Sequence, residues 1–304
     1  MKLRLATRES PLALWQAEHV KERLGNVAPE VDVELVPMTT RGDQLLNQPL
    51  AEIGGKGLFL KELEQAMLED RADFAVHSLK DVPYEMPEGF ELACVLERHD
   101  PRDALVSGQV DRLAALPEGA KVGTSSLRRR AQLLNWRSDL KIDSLRGNVN
   151  TRLKKLDAGE YDAIILATAG LERLDMADRI AERIDPEQSL PAVGQGVVAV
   201  ECRAGDNATQ DVLKRLHHME TALCIRAERA FSAALGGSCQ LPMAAMAQRS
   251  GDRLSLEGLV ASEDGQQLLR RSAEGAADEP EALGEALAAT LREAGADQIL
   301  DALR

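Results

Sequence analysis

Aromatic residues make up only 3% of this 304-residue chain, so its core has to be built from aliphatic side chains. No apolar run approaches the roughly 20 residues that a membrane-crossing helix needs, so no membrane partner is expected. Basic charge is short as well. The 37 Lys and Arg face 50 Asp and Glu, leaving a net charge of −13. That is the wrong sign for a general nucleic-acid binder, although local basic pockets stay open. Cysteine is sparse: Cys94, Cys202, Cys224 and Cys239 lie far apart with no Cys-x-x-Cys pair. Zinc-type spacing is therefore absent, no metal is expected, and a disulfide framework is disfavoured. The first residues, Met1 to Glu9, carry no signal-type apolar stretch and no acid-poor transit character, so the cytoplasm is the expected location.

What remains is an ordinary balance of 44% apolar and 29% charged residues, long enough for two or three domains. Leu3 to Ala6 reads as a strand, Ser10 as an N-cap and Pro11 as a first helical residue. Ala13, Ala17, Val20 and Leu24 form a helical stripe that Gly25 is expected to stop, and Val31, Val33 and Leu35 alternate as a second strand. Strand, helix, strand in that order favours a parallel sheet. Gly54 to Gly57 opens a helix with Phe59, Leu63, Ala66 and Met67 inward, but lacks phosphate-loop spacing. Phe74 to Ser78 is the next strand. After Leu92 to Leu96, the charged run Glu97 to Asp103 looks like a turn or hinge. A second βα series follows: a strand ending at Gly123, a helix from Leu127, a strand Ile142 to Leu145, a helix ending at Gly159, and an apolar strand Tyr161 to Ala167. Val197 to Glu201 is another strand. Beyond a helix around Leu223 to Ala234, turns at Ser250-Gly251-Asp252 and Glu263-Asp264-Gly265 separate three strand-like runs. A last helix carries Leu283, Leu287 and Leu291.

The stretch His77-Ser78-Leu79-Lys80-Asp81-Val82-Pro83 places Lys80 and Asp81 just past the C-terminal end of a strand, the edge where open α/β sheets bind ligands. Arg8, Arg128, Arg129, Arg146, Arg152 and Arg173 also fall at or near strand-to-helix junctions, and can converge on one cleft. Guanidinium groups bind carboxylates in a two-pronged geometry that lysine cannot match. The hydroxyls and backbone N–H groups of Thr124, Ser125 and Ser126 would add to an anion site. In an acidic protein this set points to a small polyanionic ligand. Cys239 stands apart from the other cysteines because its glycine- and serine-rich loop could expose a thiol. Cys94, Cys202 and Cys224 have apolar neighbours and read as small buried hydrophobes. His217 and His218 are adjacent on a helix, cannot share a face, and read as structural.

These motifs together resemble the porphobilinogen deaminases, also called hydroxymethylbilane synthases. The matching stretches are Ala6 to Ala13, Gly54 to Phe59, His77 to Pro83, Val122 to Arg129, Ser144 to Thr151, Leu190 to Gly196 and Gly237 to Pro242, in the family's order. The resemblance implies an α/β fold with two periplasmic-binding-protein-like doubly wound domains and a small C-terminal α+β domain. The expected boundaries are 1–96 with 197–216 for the first, 97–196 for the second and 217–304 for the third. It implies one dipyrromethane cofactor per chain, attached through a thioether to Cys239. Four porphobilinogens are then added head to tail with loss of ammonia, and water releases hydroxymethylbilane. Asp81 takes the catalytic place. Lys80, Asp81, Thr124, Ser125, Ser126, Arg128, Arg129, Arg146 and Gly147 match cofactor contacts. Arg8, Ser10, Arg146, Arg152, Arg173 and Gln195 match substrate contacts, and Lys56 and Phe59 lie in an active-site loop. A monomer without nucleic acid or membrane is expected.

The residues fit that chemistry. Each pyrrole carries an acetate and a propionate, so the growing chain is a polycarboxylate. Attack on the electron-poor azafulvene left by ammonia loss produces a positively charged pyrrole, which a fixed carboxylate would stabilise. Leu241 stands where the family favours a β-branched residue, Ser238 replaces a frequent glycine, and Arg130 extends the arginine pair to three. Two other readings compete. A non-catalytic two-domain anion-binding module leaves the Cys239 loop unexplained. A thiol acyl transferase needs a histidine partner and an oxyanion site that the sequence does not place.

Overall fold

Three runs of strands, each wrapped by its own helices, account for the chain. The structure is a computed structural model, and it describes residues 1–40, 60–237 and 241–303. In chain order the elements are β1 (Lys2–Arg8), α1 (Pro11–Val27), β2 (Asp32–Met38), α2 (Lys61–Leu68), β3 (Phe74–Ser78) and β4 (Phe90–Val95). Then come β5 (Asp103–Val106), β6 (Lys121–Gly123), α3 (Leu127–Trp136), β7 (Lys141–Asp143), α4 (Val149–Asp157), β8 (Ala163–Ala167), α5 (Thr168–Glu172) and β9 (Glu182–Arg183). The last are β10 (Val198–Arg203), α6 (Asn207–Leu213), α7 (Met219–Ala234), β11 (Met243–Ser250), β12 (Arg253–Ala261), β13 (Leu268–Ala276), α8 (Pro280–Glu293) and α9 (Ala296–Asp301). Met1–His99 with Val197–Ala222 form one compact unit, and Asp100–Gly196 with Leu223–Arg304 form another.

The first unit holds a five-stranded sheet of order β2-β1-β3-β10-β4, and the second a five-stranded sheet of order β7-β6-β8-β5-β9. The two orders are the same pattern. In each, the first three strands pair in parallel. In each, the fourth strand runs antiparallel to both neighbours: β10 to β3 and β4, β5 to β8 and β9. The antiparallel member is contributed by the segment that enters the sheet after the chain has built strands in the other one.

Burial on both faces explains why β8 reads as an unbroken apolar run. On β8, Ala163 and Ile165 pack with Val122 and Leu133, while Ile164 and Leu166 pack with Leu153, Leu156 and Tyr161. On the first sheet, Leu3, Leu5, Phe74 and Val76 meet the α1 stripe Ala17, Val20 and Leu24, while Ala6 and Ala75 meet Leu63, Ala66 and Met67 of α2. Each fully buried valine or leucine here contributes roughly 1.5–3 kcal/mol. The C-terminal part is an antiparallel meander, β11-β12-β13. Phe231, Leu254, Leu256, Leu287 and Leu291 fill its separate core. Gly284 lies where any Cβ would run into the backbone of α7 at Ala227 and Phe231, so α8 rests directly on α7. The expected fold class, two α/β units and a small α+β part, is therefore what the chain adopts.

Several local expectations are corrected. Gly25 does not stop α1. The ladder passes through it to an Ala28 N–H bonded to Leu24 O at 2.7 Å. β7 ends at Asp143, because Ser144 and Leu145 leave the sheet to serve side chains: Tyr161 Oη donates to Ser144 O and Ser125 Oγ to Leu145 O. Tyr161 and Asp162 precede β8 rather than belong to it, and Asp162 accepts from Lys121 N at 2.7 Å. The largest correction concerns the charged run Glu97 to Asp103. Asp100 and Arg102 do pair with each other near the surface, but Asp103 is the first residue of a buried strand and is wholly inaccessible.

Candidate active site

The residues expected to carry chemistry lie at the C-terminal ends of the parallel strands, and each unit supplies its own set. In the first unit, β1 ends at Arg8, and Ser10 caps α1 by accepting from Ala13 N at 3.4 Å. β3 ends at Ser78, which accepts a 2.8 Å hydrogen bond from the buried Gln16 of α1. One tight turn follows, Leu79–Asp81, closed by Val82 N donating to Leu79 O at 3.0 Å and tied down by Leu79 N donating to Val197 O. Lys80 is half-buried on this turn and Asp81 is exposed. Behind it, His77 Nε2 lies 2.7 Å from Glu201 Oε2, both in the core. The turn therefore rises from a rigid, hydrogen-bonded base while the Asp81 carboxylate stays accessible.

Glu64 on α2 belongs to this buried polar group. Burial, and then the nearby Glu201, push its carboxyl up to about 7 from an ordinary 4.5. A carboxyl whose folded pKa exceeds its unfolded one costs stability as pH rises from about 4.5 to about 7. Glu64→Gln should therefore gain on the wild type between pH 5 and pH 8. A gain on the order of 1 kcal/mol is expected after discounting for its half-exposed position. Urea unfolding at both pH values checks this, and an identical difference at the two would contradict it.

In the second unit, β6 delivers Thr124, Ser125 and Ser126. Their hydroxyls build the junction: Ser126 Oγ caps α3 at Arg129 N, Thr124 Oγ1 accepts from Ser126 N, and Ser125 Oγ lies 2.8 Å from Ser144 Oγ. Arg128 and Arg129, the second and third residues of α3, are only 4% and 5% exposed. Both close on Asp103. Arg128 Nη1 and Nη2 donate to its two carboxylate oxygens at 2.8 and 3.1 Å. Arg129 Nε and Nη2 both donate to Oδ1, at 3.0 and 2.8 Å. The glycine-rich segment 189–196 wraps the same carboxylate, with Ser189 Oγ at 2.8 Å and Gln195 Nε2 at 2.9 Å. Leu190 O accepts from Arg128 and Gln132, and Gly196 O accepts from Arg173 Nη2 at 2.7 Å. Glu228 anchors the segment from α7 by accepting from Gly194 N.

The electrostatics of this set are lopsided. Burial alone would push the Asp103 carboxyl up, but the two guanidiniums outweigh it and hold it well below the usual range. Arg129 is lowered by burial despite Asp103, Arg173 is lowered to about 10 by burial despite Glu172, and burial lowers Arg146. Burial thus weighs against the charge of Arg129, Arg146 and Arg173, and Asp103 is the counter-charge that Arg128 and Arg129 share.

Arg146 and Arg152 flank the N-terminus of α4, where Asn148 is the cap and Arg152 Nε donates to Gly147 O at 2.7 Å. Gly147 has φ +118°, and a Cβ there would meet Thr151 Cγ2 at 2.7 Å. Gly147→Ala should cost at least 1–2 kcal/mol from strain and collision, and displace Arg152. Thermal unfolding together with KM for an anionic substrate checks it; unchanged values of both would contradict it.

Cys239, Lys56 and Phe59 lie outside the described residues. Cys94, Cys202 and Cys224 are buried and in no disulfide, and burial pushes the Cys94 and Cys202 thiols up to about 12. His218 serves its helix, with Nδ1 accepting from Thr221 N. Among the described residues no group of His, Cys, Asp and Glu could hold a metal. Sequence reasoning missed Asp103, Ser189 and Gln132. An aspartate opening the short apolar run Ala104-Leu105-Val106 was the available signal.

Residues 3–211 match the model of the porphobilinogen deaminase dipyrromethane cofactor binding domain, and residues 222–293 match the porphobilinogen deaminase C-terminal domain. The chain belongs to the porphobilinogen deaminase family. It is 57% identical over 299 residues to the porphobilinogen deaminase of Methylobacillus flagellatus, covering 98% of this chain and 96% of that one. Among solved structures it shows 14% identity to the methionine binding protein MetQ, over 71% of this chain and 88% of that one, with a TM-score of 0.45. It shows 14% identity to the VFT2 domain of Bordetella pertussis BvgS, over 71% and 86%, with a TM-score of 0.45. As a member of this family the protein is a transferase of tetrapyrrole biosynthesis that converts porphobilinogen to hydroxymethylbilane and uses a dipyrromethane cofactor.

Proposed function

We propose that the guanidinium set of the second unit holds the acetates and propionates of the pyrroles, and that Asp81 serves the reacting ring. The observation that carries this reading is the burial of Arg128 and Arg129 against the single carboxylate of Asp103. A dipyrromethane bears four carboxylates, which fits a pocket of this sign. Arg128, Arg129, Arg146 and Lys80 would hold it, with Thr124 to Ser126 and Gly147 shaping the strand ends, and Cys239 would bear it covalently. When bound, it supplies the primer on which the four porphobilinogens are condensed. Arg8, Ser10, Arg146, Arg152, Arg173 and Gln195 would orient incoming substrate, and Lys56 and Phe59 would belong to a loop near it. The Asp81 carboxylate, exposed on a rigid turn, can accept a hydrogen bond from a pyrrole N–H and stabilise positive charge developing on that ring.

The same reading divides the chain into three domains, 1–96 with 197–216, 97–196 and 217–304; the core that Phe231, Leu254, Leu287 and Leu291 build in the last supports it, beside a smaller apolar cluster that it shares with Ala131 and Leu190. It also makes the enzyme a cytoplasmic monomer that binds no nucleic acid. Buried cysteines outside any disulfide suit a reducing compartment, and a net charge of −13 disfavours nucleic acid. No helix of the described residues is long and apolar enough to cross a membrane. The test is to supply purified protein with porphobilinogen and measure ammonia and tetrapyrrole together. Four ammonias per tetrapyrrole are expected, and binding without ammonia release would contradict the reading.

A further inference from the structure

We propose that Asp103 is a positioning residue for this reaction: its carboxylate fixes Arg128 and Arg129 as one rigid, half-neutralised pair. The inference rests on the reading of these arginines as carboxylate contacts. Asp103 itself has no capacity left for chemistry. It receives four hydrogen bonds from the two guanidiniums and one each from Ser189 and Gln195. A carboxylate offers about four lone-pair sites, so this one is saturated, and with no exposed surface it cannot reach a ligand. Whatever it does for the reaction, it does through the arginines.

Two features give that role content. The first is geometry. Each guanidinium is held on one side by Asp103 and on another by a main-chain carbonyl, Leu190 O for Arg128 and Ile165 O for Arg129. That fixes the planes of both groups and leaves each with two of its five N–H donors uncommitted among the described residues. The second is charge. Two adjacent guanidiniums without a counter-charge would repel each other in a buried site, whereas two counter-charges would leave nothing to attract an anion. One aspartate holds the pair together and leaves one positive charge over. Ser189 and Gln195 extend the control to the glycine-rich segment, which Glu228 and Arg173 grip from other elements.

The test uses apo-protein from cells that make no porphobilinogen, treated with porphobilinogen and followed by intact mass, with melting temperature and KM measured in parallel. Asp103→Asn should load the two-pyrrole adduct at least tenfold more slowly than the wild type and raise KM more than it lowers kcat. Asp103→Glu, which keeps the charge, should recover much of the loading rate. Ser189→Ala keeps every ion pair and so keeps the fold; it should slow loading several-fold, and it carries the test if Asp103→Asn does not fold. A folded Asp103→Asn that loads at the wild-type rate overturns the proposal. So does a Ser189→Ala that melts lower but loads normally, since the network would then be structural only. If the wild type itself gains no adduct, the proposed function falls, and this inference with it.

Discussion

Asp81→Asn is expected to lower kcat by at least ~10²- to 10³-fold while moving the melting temperature by no more than a degree or two. The chemical expectation follows from losing the fixed negative charge offered to a developing pyrrole cation, the kind of contribution usually worth several powers of ten. The stability expectation follows from the structure. The turn Leu79–Asp81 is closed by main-chain hydrogen bonds at Val82 and Leu79, and Gln16 bonded to Ser78 supports the strand end. The exposed Asp81 carboxylate takes no part in any of these bonds. A kcat within fivefold of wild type in a folded Asp81→Asn would remove Asp81 from the mechanism.

Arg129→Met and Arg173→Met should part company in stability while both impair binding. Arg129 is buried against Asp103, and removing it leaves that carboxylate with one guanidinium instead of two. Breaking a buried pair in this way typically costs about 3–5 kcal/mol. Arg173 is different. Its pKa, lowered to about 10, means that burial disfavours its charge on the order of 3 kcal/mol even with Glu172 nearby. Methionine relieves that cost but gives up the hydrogen bond to Gly196 O, so the melting temperature of Arg173→Met should fall less than that of Arg129→Met. On the proposed reading Arg173→Met should lift KM for porphobilinogen about tenfold or more, and Arg129→Met should weaken the hold on the two-pyrrole primer. Equal destabilisation of the two would contradict this ledger of charges. Acid supports the same distinction. Because Asp103 is held far below its unfolded pKa, its contribution is present above about pH 4 and is lost only in stronger acid.

The elements that position the site were readable because the local chemistry is strong. Ser10 before Pro11 reads as an N-cap and is one; Ser126 and Asn148 turn out to be side-chain caps at two further strand-to-helix junctions. β8 was readable because burial on both faces leaves Ala163 to Leu166 purely apolar, whereas β5, opened by Asp103, and β9, Glu182–Arg183, carry charges and do not read as strands. The antiparallel fourth strand of each sheet was not readable, since direction is a property of pairing partners far apart in the chain: β10 pairs with a β3 more than 100 residues earlier. Arg128 and Arg129 read as part of a cation set at strand-to-helix junctions that can converge on one cleft. Their partner Asp103 lies 25 residues back in a run of charges that resembles a hinge, so sequence shows the cations without the carboxylate that buries them. Glu201 was hidden for the same reason, as the last residue of an apolar run whose partner, His77, sits on another strand.

The central claim is a covalent cofactor on Cys239 of a porphobilinogen-condensing enzyme, and intact mass under denaturing conditions tests it most directly. Wild type and Cys239→Ala are compared before and after porphobilinogen is added. The wild type should exceed its sequence mass by two porphobilinogen units less the ammonias lost, and should show heavier ladder peaks with substrate; Cys239→Ala should show neither. A wild type at its bare sequence mass that gains nothing from porphobilinogen, or a Cys239→Ala that gains the same adduct, would contradict it.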